Sequence, residues 1–452
     1  MLKRLATMLW GNFESKEELK KFGILALIFC GIIAIYWALR PMKDSIFNAM
    51  VGMEWQPWAK ILSLAIIFPI VILYSKLVDT FPRHKVFYFL TGLYGAIALI
   101  MFFCFSDSSI GLANTAKSPM RILGWVWYVW VESFGSLMVA LFWAIVTDIT
   151  SPESAKRGFP LIALFGQVGN MVGPWLLNAK MLGFSNSAPV VGILAGLLFV
   201  IGFMFWAFMH VTPASQLKGY HSDEESEVES EPGFFEGLKL LVTRGYLLGL
   251  FLIITIYEVI VTVLDYHFKM SVSTAYTNEL EVGAYLASYA TMTGVVSTLC
   301  VLFGINSIQR ILGMRASLLM LPVLTAAAVV LIKLNPQSLV IGFWIMVFSK
   351  AVNYALNQPT LKQLYIPTSK DTKYKAQAWI EMFGGRLSKG SGSYINTFRA
   401  PLVAHHGAID GVARFLMFSS IISFGLVGVW LLVAIYVAKT YDKAIKEKRI
   451  VC

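Results

Sequence analysis

Charged side chains set inside otherwise apolar runs are the residues of this sequence best placed to do chemistry. Phe22 to Ala38 carries no charge, and then Arg40, Lys43 and Asp44 arrive together. Arg40 lies three residues before Lys43 and four before Asp44, so all three share one helix face. Pro41 between them loosens a helix near Trp37. Glu132 follows the aromatic run Trp125-Val-Trp-Tyr-Val-Trp, and Glu258 and Asp265 stand seven apart with Lys269 one turn beyond. Later come Lys350 and Lys362, then Glu381, Arg386 and Lys389. A charge in hydrocarbon costs several kcal/mol, so such residues face a watery interior and mark a substrate path or proton relay.

Each of these residues has a plainer alternative. Arg40, Lys43 and Asp44 would cap a helix end by snorkelling to the interface, and any of the others would serve as an interhelical salt bridge. Taken together, so many cations with a few carboxylates suit a polyanionic substrate. Phosphate fits, because Lys and Arg recognise it by charge and fork geometry. Asn170, Asn353, Asn357 and Gln358 are polar groups able to read the edge of a base.

No catalytic apparatus accompanies them. His405 and His406 are adjacent, in what reads as an outer loop, and cannot both face one metal from a helix. No Walker sequence occurs, and the glycines fall in apolar spans rather than in strand-to-helix turns. Cys30, Cys104, Cys300 and Cys452 are scattered, with neither metal spacing nor a disulfide framework. The expectation is a protein that is not an enzyme, with no metal, cofactor or catalytic residue.

The elements that must position these groups are membrane helices. Of 452 residues, 57% are hydrophobic and only 14% charged, with a mean hydropathy of +0.68; soluble domains carry about 25% charged residues. The net charge of +11 follows from insertion topology, with the basic residues in short loops, so no nucleic-acid partner is expected. Twelve spans are predicted: 22–44, 59–78, 86–105, 122–147, 159–179, 189–210, 246–264, 284–304, 316–333, 339–358, 376–398 and 412–438. The fifth and eleventh are the least hydrophobic. Lys and Arg crowd the termini and the loops on their side, which places both termini in the cytoplasm. The first span lacks a small-residue cleavage site, and Glu14, Glu17 and Glu18 argue against a transit peptide.

The fold class expected is an all-α integral membrane protein of twelve transmembrane helices in two six-helix halves, major-facilitator-like. The halves are 1–210 and 244–452, joined by a cytoplasmic linker, 211–243, whose acidic run His221–Pro232 cannot bury apolar surface. A faint internal repeat supports the division. Gly166, Gly169 and Gly173 follow the basic pair Lys156-Arg157; Gly384, Gly385, Gly390 and Gly392 follow Lys373 and Lys375. Small residues at helical spacing let helices approach closely.

Several segments, in order, resemble the ATP:ADP antiporters, the nucleotide transporters of intracellular bacteria and plastids. Arg40-Pro41-Met42-Lys43-Asp44 is similar to that family's Arg-Asp-Thr-Lys-Asp, and Glu132 with Gly135-Ser136 and Leu141-Phe142-Trp143 to its fourth helix. Asp148-Ile149-Thr150, Glu153-Ser-Ala-Lys156-Arg157 and Asp265-Tyr266-His267-Phe268-Lys269 resemble further family motifs. So do Pro359-Thr360-Leu361-Lys362, Tyr365-Ile366-Pro367 and Lys373-Tyr-Lys375-Ala376. Pro41 and Met42 stand where the family has Asp and Thr, and Asp265 where it has Glu. The resemblance implies exchange of nucleotides by alternating access, in a bacterial inner membrane, with Lys43, Glu132, Asp265 and Lys362 at the positions of the family's essential charges. The substrate-binding set expected is Arg40, Lys43, Glu132, Asp265, Lys269, Lys362, Asn170, Asn357, Glu381 and Arg386. The partners expected are a nucleotide such as ATP or ADP and the lipid bilayer, with the chain as a monomer. Proton-coupled carriage of another nucleotide, NAD or a phosphorylated organic anion is the alternative.

Overall fold

The computed structural model describes residues 13, 15–213, 216–217, 239, 241–302, 307–369, 380, 384–447 and 449–451, and every regular element among them is helical. Glu381, the acidic run 221–232 and the motif 373–376 lie outside these residues. Backbone groups in hydrocarbon must satisfy one another, so long apolar runs close into helices.

The first helix, α1 (Lys16–Met50), begins where the Ser15 hydroxyl accepts the Glu18 amide at 3.0 Å, with Glu17 and Glu18 in the favoured first turn. It continues through Pro41 to Met50, so Arg40, Lys43 and Asp44 lie inside the helix rather than at its end. The continuation has a packing cause: Ser45, Ile46, Phe47, Asn48 and Met50 are all buried.

The helices that follow are α2 (Gln56–Thr80), α3 (Arg83–Ser106), α4 (Ile122–Asp148), α5 (Pro152–Leu176), α6 (Ala188–Val211) and α7 (Gly245–Ala275). Then come α8 (Glu279–Leu302), α9 (Ser307–Leu334) and α10 (Leu339–Val352), which passes through a π-helical turn, Asn353–Asn357, into α11 (Gln358–Gln363). The chain ends with α12 (Gly385–Thr397), α13 (Arg399–His406) and α14 (Ala408–Glu447). His405 and His406 therefore close a two-turn helix instead of lying in a loop, and Gly407, at φ +81°, stops it.

Among the described residues ten stretches of helix are long and apolar enough to cross a membrane. They match ten of the twelve spans read from the sequence. The two left over are the spans of lowest hydropathy: α5, diluted by Gln167, Asn170 and its glycines and prolines, and the segment ending in α12.

Two compact units emerge. Unit one comprises 1–52, 65–229 and 276–292; unit two comprises 53–64, 230–275 and 293–452. In unit one α1 packs along α5 and also touches α4 and α6, while α3 lies on α6. Glycine sets the α1–α5 approach: a Cβ at Gly169 would meet the Cys30 carbonyl oxygen at 2.4 Å, and one at Gly173 the Ala34 carbonyl oxygen at 2.3 Å. In unit two α12 packs along α7 in the same manner, and a Cβ at Gly392 would meet the Val259 carbonyl oxygen at 2.8 Å. Gly169 and Gly173 of the first glycine series and Gly392 of the second thus share a physical role, close backbone approach, whereas a Cβ at Gly385 would meet nothing within 4 Å.

Candidate functional site

Each unit holds a charge cluster inside its helices. In unit one the Lys43 ammonium of α1 donates to Glu132 of α4. Its Nζ also lies 4.5 Å from the ring centroid of Tyr128, a cation–π contact. Tyr128 and Glu132 are four apart and share a face of α4. The Tyr128 ring is braced edge-on by Phe47, at 5.2 Å between centroids. Lys43 is only 6% and Asp44 only 3% exposed, so neither snorkels to an interface. One turn earlier, the half-buried Arg40 sets its guanidinium 4.7 Å from the Trp37 ring and 5.7 Å from Tyr36. Pro41 has no N–H and withholds the helical hydrogen bond that would reach Trp37.

In unit two one carboxylate serves two ammonium groups. Asp265 of α7 is 2.6 Å from Lys269, one turn on, and 2.8 Å from Lys350 of α10. Asp265 and Lys269 are buried, and Lys60 lies within electrostatic reach of Asp265. Directly beyond Lys350 comes the π turn, a feature frequent at functional sites. Within it the Asn357 side-chain amide donates to Asn353 at 2.9 Å, both residues being buried. Glu258 and Lys389 approach to 3.9 Å.

Of the expected binding residues, the structure brings Lys43 to Glu132 and Asp265 to Lys269. Asn170 sits on α5 beside the Gly169 contact, buried, its Oδ1 without a hydrogen-bond partner among the described residues. A buried acceptor left in that state costs about 1–3 kcal/mol. Asn357 belongs to the π turn, Lys362 is exposed near the end of α11, and Arg386 is half-buried on α12. Glu381 is outside the described residues. Arg157, from the Glu153–Arg157 motif, pairs with Glu18 at 2.8 Å, and Lys21 donates to the Gln216 carbonyl at 2.7 Å, so this end of α1 is fastened structurally.

Sequence reasoning missed the part played by Tyr128 and the partner of Lys350. Tyr128 had a usable signal, its spacing of four from Glu132. Lys350 stood out as a charge in the tenth span, but nothing local tied it to Asp265, 85 residues away in the chain.

The long apolar helices, with charge clusters buried inside them, define a class, the multi-pass α-helical membrane protein. Among solved structures the chain is similar to a bacterial homologue of the lysosomal transporter Spinster, at 15% identity and TM-score 0.62, over 95% of this chain and 99% of that one. It is also similar to the nucleoside transporter NupG, at 13% identity and TM-score 0.58, over 93% and 99%. At these identities the likeness establishes the fold alone. The family model for the TLC ATP/ADP transporter matches residues 1–110, 115–339 and 326–441, and the chain belongs to that family. Its relatives include ADP,ATP carrier protein 1 of Rickettsia typhi, 26% identical over 92% of each chain. Another is the chloroplastic ADP,ATP carrier protein 2 of Arabidopsis thaliana, 24% identical over 96% of this chain and 76% of the relative.

Proposed function

We propose that this protein exchanges ATP for ADP, or closely related nucleotides, across a membrane by alternating access and without hydrolysis. The observation that carries the proposal is Lys43, an ammonium enclosed within a transmembrane helix and held by a carboxylate that a phosphate can replace. Before loading, Glu132 pairs with Lys43, and Asp265 is shared between Lys269 and Lys350, which leaves one net positive charge among them. On loading, phosphate oxygens take the place of the carboxylates, with Arg40 and Lys362 as further cations and the fork geometry of Arg40 suited to two oxygens at once. The unsatisfied Asn170 Oδ1 suits an amino group on a base, and Asn357 offers a second polar edge. Glu381 and Arg386 complete the proposed set. The proposed frame is twelve spans in two six-helix halves, 1–210 and 244–452, joined by the linker 211–243. The chain works as a monomer in a bacterial inner membrane with both termini cytoplasmic.

The test is uptake of labelled ATP by bacteria expressing the protein, with unlabelled ADP, GTP, NAD and sugar phosphates as competitors and a protonophore as control. The expected outcome is competition by ADP, release of preloaded label when external ATP is added, and uptake that is not lost when the protonophore is present. Uptake that collapses with the protonophore and shows no counterflow would replace exchange with proton symport.

A further inference from the structure

The second helix of each half is divided between the two units. Residues 53–64, which enter and open α2, cluster with unit two, and residues 276–292, which open α8, cluster with unit one. The starts of these helices, Gln56 and Glu279, are separated by nearly the same interval as Gly173 and Gly392, so they are the same element of the repeat. Each transferred end is fastened where it arrives. Met53 packs with Tyr266 and Met270 in unit two. In unit one the fastening is polar and centres on Glu279.

The Glu279 carboxylate accepts the Ser187 hydroxyl at 2.6 Å, the Ser187 backbone amide at 3.2 Å and the Ser45 hydroxyl at 3.0 Å. Ser45 lies on α1 and Ser187 immediately precedes α6, so one side chain of α8 ties together the ends of three helices. One turn further, a Cβ at Gly283 would lie 3.2 Å from Ser45 Oγ and 3.5 Å from Ser45 Cβ, so the α8 backbone itself presses on α1. The space left between Pro41, Met42, Asn178, Leu280 and Ala287 is a cavity of about 10 Å³, at the lower limit for one water.

The chemistry of the junction differs from that of the charge clusters. Among the described residues no Lys, Arg or His pairs with Glu279; its donors are hydroxyls and an amide. Hydrogen bonds weaken steeply with distance and angle, whereas ion pairs persist over several ångströms. A junction of this kind holds firmly when seated and lets go after a small displacement.

We infer that Glu279 is the catch of a clasp that holds the outer end of α8 on α1 and α6, and that the clasp opens each time the exchanger admits substrate from outside. This rests on the alternating-access reading and its orientation. The Ser45–Gly283 contact also supplies the test. In a protein with Cys30, Cys104, Cys300 and Cys452 replaced by Ala, the pair Ser45→Cys and Gly283→Cys places two Cβ atoms at the short end of the disulfide range of about 3.5–4.5 Å. Oxidation is expected to join them and lower labelled-ATP counterflow at least tenfold, with recovery on reduction. A complete disulfide with counterflow within twofold of the reduced protein, or thiols that do not join, overturns the clasp. A second measurement needs no transport. Ala287→Cys in the same background is labelled from outside by a membrane-impermeant maleimide, and adding Glu279→Ala is expected to raise the labelling rate at least fivefold; equal rates overturn the inference. A chain that moved no nucleotide but labelled as expected would sink the exchange reading and leave the clasp standing.

Discussion

The Lys43 side chain is 7% exposed while its partner Glu132 is 30% exposed, and that asymmetry carries the residue-scale argument. The carboxylate can turn toward water and leave the ammonium to an incoming anion; the ammonium cannot follow. Lys43→Ala is expected to lower labelled-ATP uptake at least 100-fold with the protein still present in the membrane. The double variant with Glu132→Ala separates ligand from brace. Removing one member of a buried pair costs about 3–5 kcal/mol, whereas removing both is often neutral, so a brace would be rescued by the second substitution and a phosphate contact would not. Recovery of uptake in the double variant would take Lys43 out of the site. Lys350→Ala leaves Asp265 paired with Lys269, so the protein should still insert, with the KM for ATP raised about tenfold; an unchanged KM assigns Lys350 to structure alone. Lys43, Glu132 and Asp265 were legible because a charge in an apolar run stands out, and Asp265–Lys269 because it spans one helical turn. The Lys43–Glu132 and Lys350–Asp265 pairings were not, because they join residues 89 and 85 positions apart with no local signal.

At the scale of elements, Gly169 and Gly173 of α5 and Gly392 of α12 fix how closely two backbones lie. A side chain at Gly173 would sit 2.3 Å from the Ala34 carbonyl oxygen, a separation at which backbone must move. Gly173→Leu is therefore expected to displace α1 from α5 and cut uptake more than tenfold, while Gly196→Leu, where a Cβ meets nothing within 4 Å, leaves uptake within twofold. Equal effects of the two substitutions would reduce the glycine series to composition. Ten helices could be read from the chain directly, because the rule that backbone must pair internally in lipid leaves an apolar run of that length one choice. The reach of α1 to Met50 could not: a proline and three charges imitate a helix end, and burial of Ser45–Met50 overrides them. The π turn at Asn353–Asn357 had no sequence signature either, since it inserts a residue without altering composition.

For the whole molecule, the exchange of a tetravalent for a trivalent anion has an electrical consequence that no single residue carries. Each turnover of external ATP against internal ADP moves one net negative charge inward, worth roughly 2.3 kcal/mol per 100 mV. An inside-negative potential of that size therefore opposes ATP entry by a factor of roughly 45 at equilibrium, and uptake must be driven by nucleotide gradients. In proteoliposomes holding a potassium diffusion potential, ATP-for-ADP exchange should slow as the interior is made negative and quicken as it is made positive. ATP-for-ATP exchange should not respond, since its net charge movement is zero. The carboxylates of the two clusters give this comparison its discriminating power. If Glu132 or Asp265 carried a proton inward with each ATP, the extra charge would be cancelled and the hetero-exchange would be as flat as the homo-exchange. A flat response, together with internal acidification in step with ATP entry, would turn the exchanger into a proton-coupled carrier with the same lysines holding the phosphates.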